Sequence, residues 1–152
     1  MIQYKKLTVE GCVEMSKLKV LIPLDGSEKS MHSLDWLKNF FTSEEVEVTL
    51  LHVVTVYYIP EMFEMKDPAF EASKKASLEI LDDAAKRLDG YTVTKLSIGG
   101  PGADEILRIA KKDSYDMIVM TKSSVKGISR IIGSVTSKVV RDSEIAVIVV
   151  PE

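Results

Sequence analysis

Two stretches carry the residue types that could do chemistry: Asp25, which ends the run KVLIPLDGS (19–27), and the Ser, Lys, Thr and Gly residues between Thr121 and Thr136. An acidic side chain leaving an apolar run offers a hydrogen-bond acceptor. Glycine and hydroxyl residues ahead of a helix border its unpaired amides, and those amides together with the helix dipole favour an anion. Gly133 and Ser134 stand just before or at the start of the last helical pattern, and Lys122, Lys126 and Arg130 add positive charge nearby. A plainer reading stands beside each. Any strand-to-helix turn uses Ser, Thr or Gly for its geometry, with or without a ligand, and Asp25 or Ser27 fits the cap of the helix that follows it. The Thr121–Thr136 stretch lacks GxxxxGK[ST] and is not a P-loop. Gly99 to Gly102 is too short and too proline-bound for a dinucleotide fingerprint. His32 and His52, the only histidines, fall in a helical pattern and an apolar strand and are read as structural. No metal-ligand cluster and no Ser-His-Asp arrangement is visible, so the expectation is no catalytic residue and no protein-bound metal.

The elements that must hold these residues read as an alternation. Lys19–Pro23 is a β-branched strand broken by Asp25-Gly26-Ser27, and from Glu28 the residues Met31, Leu34, Leu37 and Phe41 recur at helical spacing. Val46–Val54 is a strand covered on both faces. Thr55–Pro68 is an apolar, irregular connection containing Tyr57, Tyr58, Met62, Phe63 and Met65, able to cover a cleft or meet a partner. From Ala69 the positions Phe70, Ser73, Ala76, Ile80, Ala84 and Leu88 trace a helix that Gly90 ends. Strands follow at Tyr91–Ile98, Asp116–Met120 and Ile145–Val150, with helices over Ile106–Ala110 and Val135–Val140 between them. Five strands alternating with four helices predict a three-layer α/β fold, because a parallel neighbour is reached only through a crossover. In such sheets ligands bind beyond the carboxyl ends of the strands, where strand order reverses.

Composition narrows the class. The 152 residues are 45% hydrophobic and 28% charged, with a net charge of −3, which predicts one packed domain without a basic field for nucleic acid. The longest apolar run, Ile145–Val150, is far short of a membrane span, and the amino terminus shows no secretory pattern, so a cytoplasmic location is expected. Cys12 is the only cysteine and excludes an internal disulfide. Residues 1–16 stand outside the alternation as an amino-terminal extension, and 17–152 form the domain.

Over residues 17–151 the chain resembles the universal stress proteins, of the type that binds adenine nucleotides. The resemblance rests on KVLIPLDGS (19–27), LLHVV (50–54), GGPGADEILRIA (99–110), DMIVM (116–120) and GSVTSKVVRDSEIAVIVVP (133–151), in that order. It implies a Rossmann-like, adenine nucleotide alpha hydrolase-like sheet of order 3-2-1-4-5 and a homodimer paired through Ile145–Val150. It also implies a nucleotide site: Asp25 on the adenine with Pro23 and Leu24 beside it, Val53 meeting the adenine through its backbone, and phosphates along G-x2-G-x9-G-[ST] after Met120. Here Thr121 and Ser124 stand where the first two glycines belong, and eight residues separate Ser124 from Gly133. The Gly133-Ser134-Val135-Thr136 half is intact. The implied function is a stress-response sensor that binds ATP, with Mg²⁺, and alters its contacts with an unidentified protein partner, hydrolysing ATP slowly if at all. The altered loop leaves a second reading, a dimeric interaction module without nucleotide.

Overall fold

The structure, a computed structural model, describes residues 16–55, 68–122 and 132–151. Cys12, the Tyr57–Met65 cover, Ser123, Ser124, Lys126, Gly127 and Arg130 lie outside the described residues.

Five strands, β1 (Leu18–Leu24), β2 (Val46–Val54), β3 (Thr92–Gly99), β4 (Met117–Thr121) and β5 (Ala146–Val150), form one parallel sheet of order β3-β2-β1-β4-β5. Helices α1 (His32–Phe40), α2 (Pro68–Lys86), α3 (Gly102–Lys112) and α4 (Ser134–Asp142) are the crossovers. The order reverses between β1 and β4, as the resemblance implies. Alternation along each strand divides the core into two layers. Val20, Ile22, Val48 and Leu50 meet Met31, Leu34, Leu37, Leu81 and Ala84 of the α1 and α2 side. Leu21, Leu51, Ile118 and Met120 meet Ala103, Ile106, Ile109 and Val139 of α3 and α4. Both faces of the sheet are covered, which is why its strands read as apolar runs.

The helices differ from the sequence reading in four places. The pattern from Glu28 begins as a 3-10 turn, Lys29–Met31, because Ser27 and Glu28 accept the amides three residues on, from Ser30 and Met31, at 3.1 Å each. Phe41, counted as a helical position, turns extended and carries its ring back toward Trp36, while Phe40 stays 65% exposed. In α2 the buried stripe is Ser77, Leu81 and Ala84, continued by Leu88. Phe70, Ser73 and Ala76 are exposed, so the first turns of the stripe are rotated by about one position, while Ala84 and Leu88 are buried and Ile80 packs on the core as expected. The displaced turns are those around Ser77, which is fully buried although polar. In α4 only Thr136 and Val139 are buried; Val135 and Val140 are 41% and 47% exposed, since one side of this short helix covers α3 and the sheet edge.

Gly26 is a position where glycine is required. It has φ +82°, and a Cβ there would lie 2.7 Å from Ile80 Cδ1, so the turn after β1 passes close under α2.

Candidate functional site

Beyond the carboxyl ends of β1, β2 and β4 lies a cavity of about 630 Å³. It sits at the reversal of strand order, where the chain leaves β1 toward one layer of helices and β4 toward the other. Pro23, Leu24, Asp25, Val53, Met120, Thr121, Gly133, Ser134, Val135 and Thr136 all line it. Of the residues chosen from sequence only Ser124 is not placed, because it lies outside the described residues.

Asp25 stands exposed at the end of β1, and its Oδ1 accepts from the Ser27 amide at 2.9 Å and the Ser27 hydroxyl at 2.6 Å. Ser27 in turn accepts the Ser30 amide at 3.2 Å, so the hydroxyl that caps the first helical turn belongs to Ser27, and Asp25 orients it. The two readings of Asp25 are thereby separated: it supports the cap through Ser27 while its carboxylate borders the cavity.

On the opposite side the chain returns from the loop at Gly133, whose amide donates to the Lys122 carbonyl at 3.1 Å. The first intrahelical bond of α4 runs from the Ser137 amide to the Gly133 carbonyl at 2.8 Å. The amides of Ser134, Val135 and Thr136 therefore precede the helical ladder and border the cavity at the positive end of the helix dipole. Gly133 itself has φ −61° and ψ 159°, extended backbone open to any residue. The Thr136 side chain also has a structural part. Its buried hydroxyl donates to the carbonyls of Thr121 at 3.1 Å and Lys122 at 2.9 Å, which pins the first turn of α4 to the end of β4.

Sequence reasoning missed the α2 side of the cavity. Ser73, Ala76, Ser77 and Ile80 line it, as do Ser30, Gly102, Ile106, Lys122 and His52. His52 Nδ1 lies 2.9 Å from the buried Ser77 hydroxyl, which lies 2.6 Å from the Ser97 hydroxyl. The sheet register sets His52 directly beside Ser97 of β3 and Leu24 of β1. Partial burial holds the His52 imidazole below the usual histidine value, against a smaller upward pull from the Asp25 carboxylate. A signal was present in the sequence: Ser73 and Ser77 are four residues apart in α2, small polar residues on one helical face. Among the described residues no group of three or more His, Cys, Asp or Glu side chains could hold a metal ion, and no helix is long and apolar enough to cross a membrane.

Comparison with known proteins agrees with this architecture. Residues 18–151 match the Universal stress protein family. Universal stress protein YxiE of Bacillus subtilis is 30% identical over 146 residues, 87% of this chain and 97% of its own length. The solved structure of protein MJ0577, a universal stress protein of Methanocaldococcus jannaschii, superposes with a TM-score of 0.71 at 30% identity and covers 89% of this chain and 96% of its own. A universal stress protein family protein of Arabidopsis thaliana, solved with AMP bound, superposes with a TM-score of 0.67 at 20% identity, covering 89% of this chain and 92% of its own.

Proposed function

The chain belongs to the universal stress protein family, and from that premise we propose that it binds an adenine nucleotide as a regulatory ligand in the cavity above β1, β2 and β4. The observation that carries this reading is the convergence of an acceptor, Asp25, and the first-turn amides of α4, which precede the helical ladder, on one cavity at the switch point. The Arabidopsis relative with AMP bound supports the ligand class. In this reading the base lies toward Asp25 and Val53, and the phosphates lie toward Gly133, Ser134 and Val135, with Lys122 adding positive charge. Leu24, Pro23, Met120 and Thr121 form the floor. Mg²⁺ enters with ATP, held by its phosphates, because Asp25 is the one carboxylate among the described lining residues and stands on the base side. The role is sensing in the cytoplasm, with at most slow hydrolysis.

In this reading residues 1–16 are an amino-terminal extension and 17–152 the domain, which the start of the family match at residue 18 supports. β5 lies at the end of the sheet, paired with β4 on one side. Its outer edge is the proposed homodimer seam, and occupancy of the cavity would reach a protein partner through that dimer.

A ligand that binds only the folded state raises stability by RT ln(1 + [L]/Kd), about 2.7 kcal/mol at a hundredfold excess over Kd. Thermal unfolding with millimolar AMP, or ATP with Mg²⁺, is expected to show that rise, and Asp25→Ala is expected to remove most of it. A wild-type protein that neither releases nucleotide on denaturation nor shifts with either ligand would favour the second reading, an interaction module, for which the replacement of two motif glycines by Thr121 and Ser124 speaks.

A further inference from the structure

We propose that His52 is a specificity-determining residue of this cavity, and that its ring packs against the uncharged nucleoside end of the ligand, with Ser77 and Ser97 as the positioning residues behind it. The proposal rests on the nucleotide reading above. Three elements build the position: β2 carries His52, β3 sets Ser97 beside it in register, and α2 brings Ser77 over both. Ser77 is fully buried and no buried side-chain polar atom among the described residues lacks a partner, so the serine pair holds the ring through Nδ1 and leaves Nε2 as its remaining polar atom.

Strand order decides which end of a nucleotide this ring meets. β2 is separated from β4 by β1, and strands lie about 4.8 Å apart, so the ends of β2 and β4 are about 10 Å apart, with His52 at one and α4 following the other. The phosphates belong at the amides, and the base and sugar are left for the β1–β2 side. The Ser77 hydroxyl has one proton, given either to His52 or to Ser97. Nε2 is then a donor in one case and an acceptor in the other, and a ligand hydroxyl can pair with it in both. The charged groups facing this corner among the described lining residues are Asp25, from the end of β1, and Lys122, from the end of β4; the α2 residues there are uncharged.

A nucleoside covering the ring desolvates it further and favours its neutral form, whereas a phosphate beside it favours the charged form. The direction of the linked titration therefore tells the two placements apart. With only two histidines in the chain, the His32 and His52 imidazole resonances can be followed by NMR and assigned with His52→Gln. Adenosine and AMP are each expected to lower the His52 midpoint and leave His32 unmoved, while inorganic phosphate leaves His52 unchanged. His52→Gln is expected to weaken AMP binding about 2- to 10-fold, the worth of one net hydrogen bond. The proposal is overturned if AMP binds with the His52 midpoint unmoved or raised, or if phosphate alone moves it. Absence of any AMP binding to the wild-type protein, by thermal shift and by NMR, overturns the nucleotide reading as well, which separates the two failures. Should His52→Gln not fold, the wild-type titration decides the question alone.

Discussion

The two ends of the sheet are built to different plans. At the amino end the polar groups are tied to one another. The Lys19 amide donates to Asp116 Oδ2 at 2.7 Å and the Asp116 amide returns to the Lys19 carbonyl at 2.9 Å, closing β1 onto β4. Lys17 Nζ donates to the Ser43 carbonyl at 2.9 Å, Tyr91 Oη to the Phe41 carbonyl at 2.7 Å, and Tyr115 Oη to Thr49 Oγ1 at 2.9 Å. At the carboxyl end the strands stop around a cavity bordered by Asp25, Lys122, His52 and the first amides of α4. One end spends its hydrogen bonds on the fold. The other keeps polar groups facing a space, as a binding site requires, and this division follows from parallel strands, whose connections to helices all leave from the same end.

The widest break in this comparison comes from the layer both ends share. Leu50 is fully buried between the sheet and α1–α2, so Leu50→Ala is expected to cost about 2–5 kcal/mol in denaturant unfolding and to weaken the whole domain without regard to end. A matched pair separates the ends. Tyr115→Phe deletes one hydroxyl at the amino end and Thr136→Val one at the carboxyl end, each worth about 0.5–1.5 kcal/mol of stability. Only Thr136→Val is expected also to reduce the AMP-dependent thermal shift, because it releases the first turn of α4 from the Thr121 and Lys122 carbonyls. Equal loss of that shift in both variants would show that the ends are not functionally distinct.

The smallest effect is a pH dependence confined to the cavity end. The unfolded chain protonates His52 near the ordinary value of about 6.5, and the folded chain does so only at lower pH. Between those values the unfolded state holds more protons, so stability rises with pH across that window and is lost as pH falls through it. Unfolding midpoints between pH 7.5 and 5.5 should therefore decline in the wild-type protein and decline less in His52→Gln. The exposed carboxylates held low by hydrogen bonds, such as Glu28 with Arg87 and Glu45 with Thr42, act in the same direction but at more acidic pH.

Legibility followed the same division. The strands are apolar, β-branched and bounded by turn residues, so Val46–Val54 was read to its end residues and β1 to within one at each side. The first turns of the α2 stripe were read one position off because Ser77 is buried against the His52 ring nitrogen and the Ser97 hydroxyl, 25 residues before it and 20 after. No local pattern contains those partners. Thr136 is a similar case: its type fits a phosphate turn, yet its proton is given to carbonyls 14 and 15 residues away in the chain.

The amino-acid sequence by itself determined the alternation of five strands and four helices, and through the resemblance, the strand order and family. Those follow from hydrophobic period, turn chemistry and ordered motifs, all local properties of the chain. Tertiary structure alone decided which polar groups are used up and which face the cavity. It assigned the Thr136 hydroxyl to the fold, put Ser27 rather than Asp25 on the helix cap, and brought His52 of β2 to the cavity against Ser77 and Ser97. Hydrogen bonds of a few ångströms between residues far apart in sequence are set by how the sheet and helices pack, and only the packed molecule specifies them.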